Sequence, residues 1–208
     1  MPRALVADQY PLIRASIRNL LQQENFRAVQ EASNGVQALS LAREAPPDLI
    51  ILDIAIPELD GFEVIRRLAR FGVNSKILIV TALSPILYAA RCRNAGASGF
   101  VSKADDLRMV SKAIATTMSG YTFFPNVISS LASNPEVQST DSAMISELSD
   151  RELLVLQKLS LGYSNKEIGE TMFLSNKTIS ACKTRIAEKL KLKSVVAFAD
   201  FAKKNGLI

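Results

Sequence analysis

Four residues with usable chemistry stand just beyond four short apolar runs. Asp8 follows Ala4–Ala7, Asp53 follows Leu49–Leu52, Thr81 follows Ile77–Val80, and Lys103 lies two residues past Gly99–Val101. Two carboxylates, a hydroxyl and an ammonium suit a hard divalent cation and a phosphoryl group in transfer. Mg²⁺ takes oxygen ligands, usually one or two carboxylates with waters and phosphate oxygens. Such a cation offsets the repulsion met when the Asp53 carboxylate attacks an anionic donor, and Thr81 and Lys103 then hold the new phosphoryl oxygens. Any one of these residues alone is as readily a helix or turn cap. Four of them at successive run ends favour a shared site. The chain has no histidine, which excludes a Ser-His-Asp triad, a His-metal site and a phosphohistidine of its own.

The elements that must carry these residues follow from the hydrophobic pattern. The four runs, with a fifth around Phe26–Val29, alternate with stretches of helical spacing such as Leu12, Ile13, Ile17, Leu20, Leu21 and Val64, Ile65, Leu68. Fully apolar strands between helices predict a parallel sheet covered on both faces. Five βα units make a doubly wound, flavodoxin-like α/β domain over residues 1–120, with ligands beyond the carboxyl ends of its strands. Strand-end residues converge there, so Asp8, Asp53, Thr81 and Lys103 are expected at one edge.

Residues 121–147 read as a linker, polar and Pro-containing between Ser129 and Ser142. Residues 148–208 read as a small all-α domain of four helices. Ser149 with Glu152 and Ser164 with Glu167 have capping-box spacing. Ser175 and Ser194 are candidate N-caps, and Gly162 suits a left-handed helix end. This domain holds 11 Lys and Arg against 6 Asp and Glu, the +5 of a small basic unit with a polyanionic partner.

On a wheel of residues 176–190, Ile179, Cys182, Ile186 and Leu190 share one apolar sector. Lys177, Ala181, Thr184 and Glu188 lie opposite, flanked by Ser180 and Arg185. A helix of this kind can enter a major groove, its small residues allowing close approach while Lys177, Lys183 and Arg185 reach phosphates. A solvated amphipathic helix is the bland alternative. The short helix at Ser164–Met172 and the turn Phe173-Leu174-Ser175 before it give the order of a helix-turn-helix over residues 164–185.

Two resemblances add to this. Leu5-Val6-Ala7-Asp8-Gln9-Tyr10-Pro11, Leu52-Asp53-Ile54-Ala55-Ile56-Pro57-Glu58-Leu59-Asp60-Gly61, Val80-Thr81-Ala82 and Gly96 to Lys103 resemble the response-regulator receiver family. The resemblance implies Asp53 as acceptor of a phosphoryl group from a sensor histidine kinase. It implies Asp8, Asp53 and the Ala55 carbonyl as Mg²⁺ ligands, and Thr81 with Phe100 as the switch pair. Where the family usually has a second acid, this chain has Gln9, whose amide oxygen can still coordinate but brings no charge.

Leu148 to Glu152, Gly162 to Ile168 and Leu174 to Ser180 resemble the LuxR/FixJ-type DNA-binding domain, with Lys177, Thr178, Ser180, Ala181, Lys183, Thr184 and Arg185 as candidate DNA-contacting residues. Both together are similar to the NarL/FixJ class, in look to its BvgA/EvgA-like members. The resemblance implies a homodimer on promoter DNA, with RNA polymerase as a further candidate partner. Val195, Phe198 and Ala202 of the last helix serve either that dimer or the core of their own domain.

The expected function is a two-component transcription regulator phosphorylated on Asp53. The rival is a phosphorylation-independent regulator whose Gln9-bearing receiver serves dimerisation or partner binding. An enzyme is not expected, since no Gly-x-Gly-x-x-Gly or P-loop follows a predicted strand. Two isolated cysteines and the absence of a signal-peptide or membrane-spanning pattern point to the cytoplasm, with no membrane partner.

Overall fold

The computed structural model describes residues 2–125 and 140–208. The chain divides into two compact units, Met1–Ile128 and Ser129–Ile208. The first runs β1 (Arg3–Ala7), α1 (Pro11–Gln23), β2 (Ala28–Ala32), α2 (Gly35–Glu44), β3 (Leu49–Leu52), α3 (Gly61–Arg70), β4 (Lys76–Thr81), α4 (Pro85–Ala95), β5 (Gly99–Ser102), α5 (Leu107–Met118). The strands form one parallel sheet in the order β2-β1-β3-β4-β5, the doubly wound arrangement expected.

Alternation along the strands builds both faces. Ala4, Val6, Leu49, Ile51, Leu78 and Val80 share a core with Ile17 and Leu21 of α1 and Val110, Ala113 and Ile114 of α5. The intervening Leu5, Ile50 and Ile79 are equally buried, so apolar side chains are covered on both sides of the sheet.

Two sequence expectations shift by local geometry. The second strand begins at Ala28, not Phe26. Asn25 turns the chain with φ 62°, and the Phe26 amide closes the end of α1 on the Leu21 carbonyl at 3.0 Å. At the sheet edge β2 is only half buried, which weakens its apolar signal. Leu12 does not join the buried face of α1. It lies in the first turn after Pro11, 78% exposed, while Ile17 and Leu21 are buried.

The second unit consists of α6 (Thr140–Glu147), α7 (Asp150–Ser160), α8 (Asn165–Met172), α9 (Asn176–Leu190) and α10 (Val195–Lys204). Ser149–Glu152 and Ser164–Glu167 form complete capping boxes, and Ser175 and Ser194 cap α9 and α10. Gly162 has φ 90°. Ile179, Cys182, Ile186 and Leu190 are the buried residues of α9. Phe198 and Ala202 are buried too, and the Phe198 carbonyl accepts from Ser160 Oγ at 3.1 Å, which places both in the core of their own unit.

The stretch read as linker, residues 121–147, is structured at both ends. Phe123 bridges in parallel to Gly99 of β5, and Thr140–Glu147 is helical. Asp141 Oδ2 accepts from Lys204 Nζ at 2.7 Å and Asn205 Nδ2 at 3.2 Å, and the Glu147 carbonyl accepts from Lys189 Nζ at 3.0 Å. Two turns of helix are too short to display a period, and a backbone bridge leaves no side-chain pattern. The middle of the stretch, residues 126–139, lies outside the described residues.

Candidate functional site

The sheet ladder delivers the first site. Asp8 N–H donates to the Ala32 carbonyl at 3.1 Å, Asp53 N–H to Ala7 at 2.9 Å and Lys103 N–H to Thr81 at 2.8 Å. Pairing thus continues past the strand ends and fixes the backbones from which these side chains leave. Gly61 brings the start of α3 against the turn after Asp53. A Cβ there would lie 2.7 Å from Ile54 Cα and 2.9 Å from the Asp53 carbonyl oxygen. Asp60 caps α3 by accepting the Glu63 amide at 2.9 Å.

All four expected residues come together. Asp53 Oδ1 accepts from Thr81 Oγ1 at 2.7 Å and from Ala55 N–H at 3.0 Å. Lys103 Nζ lies 2.6 Å from Asp53 Oδ2 and 2.6 Å from Asp8 Oδ2. Asp8 Oδ1 accepts the Tyr10 amide at 2.9 Å, and the Tyr10 ring centroid is 5.2 Å from the Lys103 ammonium, within cation–π range. Asp8 and Asp53 are only 2% and 3% exposed. Phe100 is buried in β5, and its strand pairs Ser102 with Thr81.

The electrostatics of the pocket are unbalanced. Burial pushes the Asp8 carboxyl up, and the Asp53 charge adds to this against the Lys103 contact. Burial would lower the Lys103 ammonium, but attraction to Asp53 and Asp8 outweighs it and holds the group above its ordinary value. Two carboxylates share one ammonium, and Gln9, half buried, adds no charge. A surplus of negative charge on buried oxygens suits a hard cation. Among the described residues no cluster of three or more His, Cys, Asp or Glu side chains is placed to hold a metal. The protein donors for a cation here are the two carboxylates with carbonyl or carboxamide oxygen.

The second unit presents the other candidate surface. On α9, Lys177, Ser180, Ala181, Thr184 and Arg185 are exposed, while Thr178 and Lys183 are half buried. The Thr178 hydroxyl is engaged with Ser175 Oγ at 2.8 Å in the helix cap. Arg185 is drawn inward, its Nε 3.4 Å from Glu152 Oε1 and its Nη2 3.3 Å from Cys182 Sγ. Sequence reasoning found Glu152 only as a cap. Its carboxylate, 4% exposed, also pairs with Lys189 Nζ at 2.7 Å. The signal was present in the basic i, i+4 pair Arg185 and Lys189, but their partner lies more than 30 residues away in sequence. Tyr10 was likewise missed as the neighbour of Lys103.

With this geometry in place, comparisons with known proteins are specific. Residues 4–115 match the response regulator receiver domain family, and residues 146–202 match the luxR family of bacterial regulatory proteins. The chain is 45% identical over 205 residues to the virulence-factor transcription regulator BvgA of Bordetella pertussis, covering 99% of this chain and 98% of that protein. It is 34% identical to the DNA-binding transcriptional activator EvgA of Escherichia coli K12, with 98% of each covered. Among solved structures, RcsB from Salmonella enterica serovar Typhimurium, bound to promoter rprA with the phosphomimetic BeF3-, superposes with a TM-score of 0.69. That likeness, at 21% identity over 98% of this chain and 99% of the other, is one of fold.

Proposed function

Because this chain belongs to the response regulators that join a receiver domain to a LuxR-type DNA-binding domain, we propose that Asp53 is its phosphoacceptor and that phosphorylation governs promoter binding. The observation that carries the reading is the set of contacts on the Asp53 carboxylate, with Thr81 on one oxygen and Lys103 on the other. An Asp53 oxygen attacks the phosphorus of a sensor kinase phosphohistidine. The new P–O bond forms as the P–N bond breaks, and the imidazole leaves with its electron pair and takes up a proton. The Lys103 ammonium and the Thr81 hydroxyl then turn from the carboxylate to the phosphoryl oxygens.

Receiver domains typically bind Mg²⁺ at this position, and here Asp8, Asp53, the Ala55 carbonyl and the Gln9 amide oxygen are the groups that would hold it. When bound, it neutralises charge between Asp53 and the anionic donor. Thr81 following the phosphoryl group, with Phe100 adjusting behind it, biases the receiver between two states.

At the output end, a homodimer presents Lys177, Thr178, Ser180, Ala181, Lys183, Thr184 and Arg185 to a promoter half-site, with RNA polymerase the next partner there. No described helix is long and apolar enough to cross a membrane, and the place of action we assign is the cytoplasm.

The deciding experiment is Mg²⁺-dependent labelling of Asp53 by acetyl phosphate, with Asp53→Asn as control. Covalent label on the parent and none on the variant is expected; no label at millimolar Mg²⁺ overturns the reading. One observation favours a second reading. Lys103 already bridges Asp8 and Asp53, and Gln9 leaves the pocket one charge short of the family pattern. A receiver in that state serves as a phosphorylation-independent dimerisation or partner-binding module, and an unlabelled protein that still binds promoter DNA as a dimer would establish it.

A further inference from the structure

The chain does not leave the receiver sheet where α5 ends. Phe123 N–H donates to the Ser98 carbonyl at 3.0 Å, and the Phe123 carbonyl accepts from Phe100 N–H at 2.7 Å. These two bonds form a parallel bridge about Gly99 and add, among the described residues, a one-bridge segment outside β5. Phe123 packs partly buried on the sheet core, and Arg93 of α4 lies over the Phe124 ring at 4.5 Å. Glycine at 99 leaves room for the approach. A Cβ there would sit 2.8 Å from Leu78 Cδ1, 3.0 Å from the Phe123 oxygen and 3.3 Å from Thr117 Oγ1. Thr117 is fully buried, and its hydroxyl has no hydrogen-bond partner among the described residues. The Phe123 carbonyl, engaged by the Phe100 amide, and the unpartnered Thr117 hydroxyl thus flank one point without bonding each other.

From this we infer that residues 121–124 are the receiver's output strand, docking on β5 in one of two positions according to the state of Asp53, and so carrying that state into the chain from residue 126 onward. The inference rests on the reading of Asp53 as phosphoacceptor. Its basis is the difference between the two edges of β5. Toward β4 the strand holds a four-pair ladder, Leu78↔Gly99 to Thr81↔Ser102. Toward the tail it holds, among the described residues, one bridge, and half of that bridge is the amide of Phe100 itself. When Phe100 reorients with Thr81, the strain falls on whichever edge is weaker, which is the tail. The unpaired Thr117 hydroxyl offers the displaced Phe123 carbonyl a new donor, so the second position is also hydrogen-bonded.

The test is amide hydrogen exchange on the full chain with and without beryllofluoride and Mg²⁺, reading the peptides over residues 52–57, 98–101 and 119–125. Exchange over 119–125 is expected to change at least fivefold on beryllofluoride binding, together with 98–101. Arg93→Ala, which leaves the sheet backbone intact, is expected to speed exchange over 119–125 severalfold. Phe123→Pro, which removes the Ser98 bond, is expected to leave promoter affinity unresponsive to beryllofluoride while residues 52–57 still slow. The inference is overturned if 52–57 slow in the parent but 119–125 do not change, or if Phe123→Pro responds as the parent does. No change anywhere in the parent overturns both this inference and the phosphoacceptor reading, so the two failures are distinguishable.

Discussion

Gln9 stands where receivers usually carry a second acid, and it leaves two buried carboxylates to share the single ammonium of Lys103. A unit charge pair at about 4 Å is worth roughly 4 kcal/mol at an effective dielectric of 20, before solvent screening. Gln9→Asp is therefore expected to tighten Mg²⁺ binding on the order of tenfold, about 1.4 kcal/mol, as read by titration calorimetry. An unchanged affinity would mean that position 9 does not reach the cation. Lys103→Met tests the other side of the balance. It leaves Asp8 and Asp53 buried without a counter-charge, and removing one partner of a buried pair costs about 3 kcal/mol. Urea denaturation should show that loss in the receiver transition, and carboxyl NMR should find the Asp8 group titrating higher still.

The four-residue site depends on ladders; α9, the helix proposed to meet DNA, depends on a carboxylate from another helix. Glu152 closes its own capping box with the Ser149 amide at 2.8 Å and holds Lys189 and Arg185 of α9. Burial pushes the Glu152 carboxyl up, but its bonds to Lys189 and Ser149 outweigh burial and hold it below the ordinary glutamate value. A depressed acid contributes stability above its unfolded pKa and loses it as pH falls through the folded one. The DNA-binding unit should thus keep this contribution at neutral pH and lose it in the acid range below the usual glutamate titration. Glu152→Gln should cost about 2 kcal/mol at pH 7, while parent and variant converge near the acid end. Denaturation curves at several pH values decide this, and a pH-independent difference would remove the ion pairs from the account.

Over the whole molecule, charge is unevenly distributed along the chain. Residues 148–208 carry +5, and residues 121–147 carry three acids and no base. Promoter binding by the full chain should weaken steeply with salt, and Lys177→Ala should reduce the slope of log affinity against log salt by about 1. Ala181→Lys, which adds bulk on the same exposed face, should instead impair discrimination between promoter and random DNA. Equal slopes for Lys177→Ala and parent would place α9 away from the phosphates.

The alternation of strands and helices, the four helix caps of the second unit and the convergence of Asp8, Asp53, Thr81 and Lys103 are legible in the residue pattern, because period and capping are local and parallel strands deliver their ends to one edge. That Lys103 bridges both carboxylates, that Glu152 reaches Lys189 and that Phe123 joins β5 emerges only in the folded chain. Each of these joins groups far apart in the chain, and the last is made by backbone atoms that every residue possesses, so no pattern of side chains announces it.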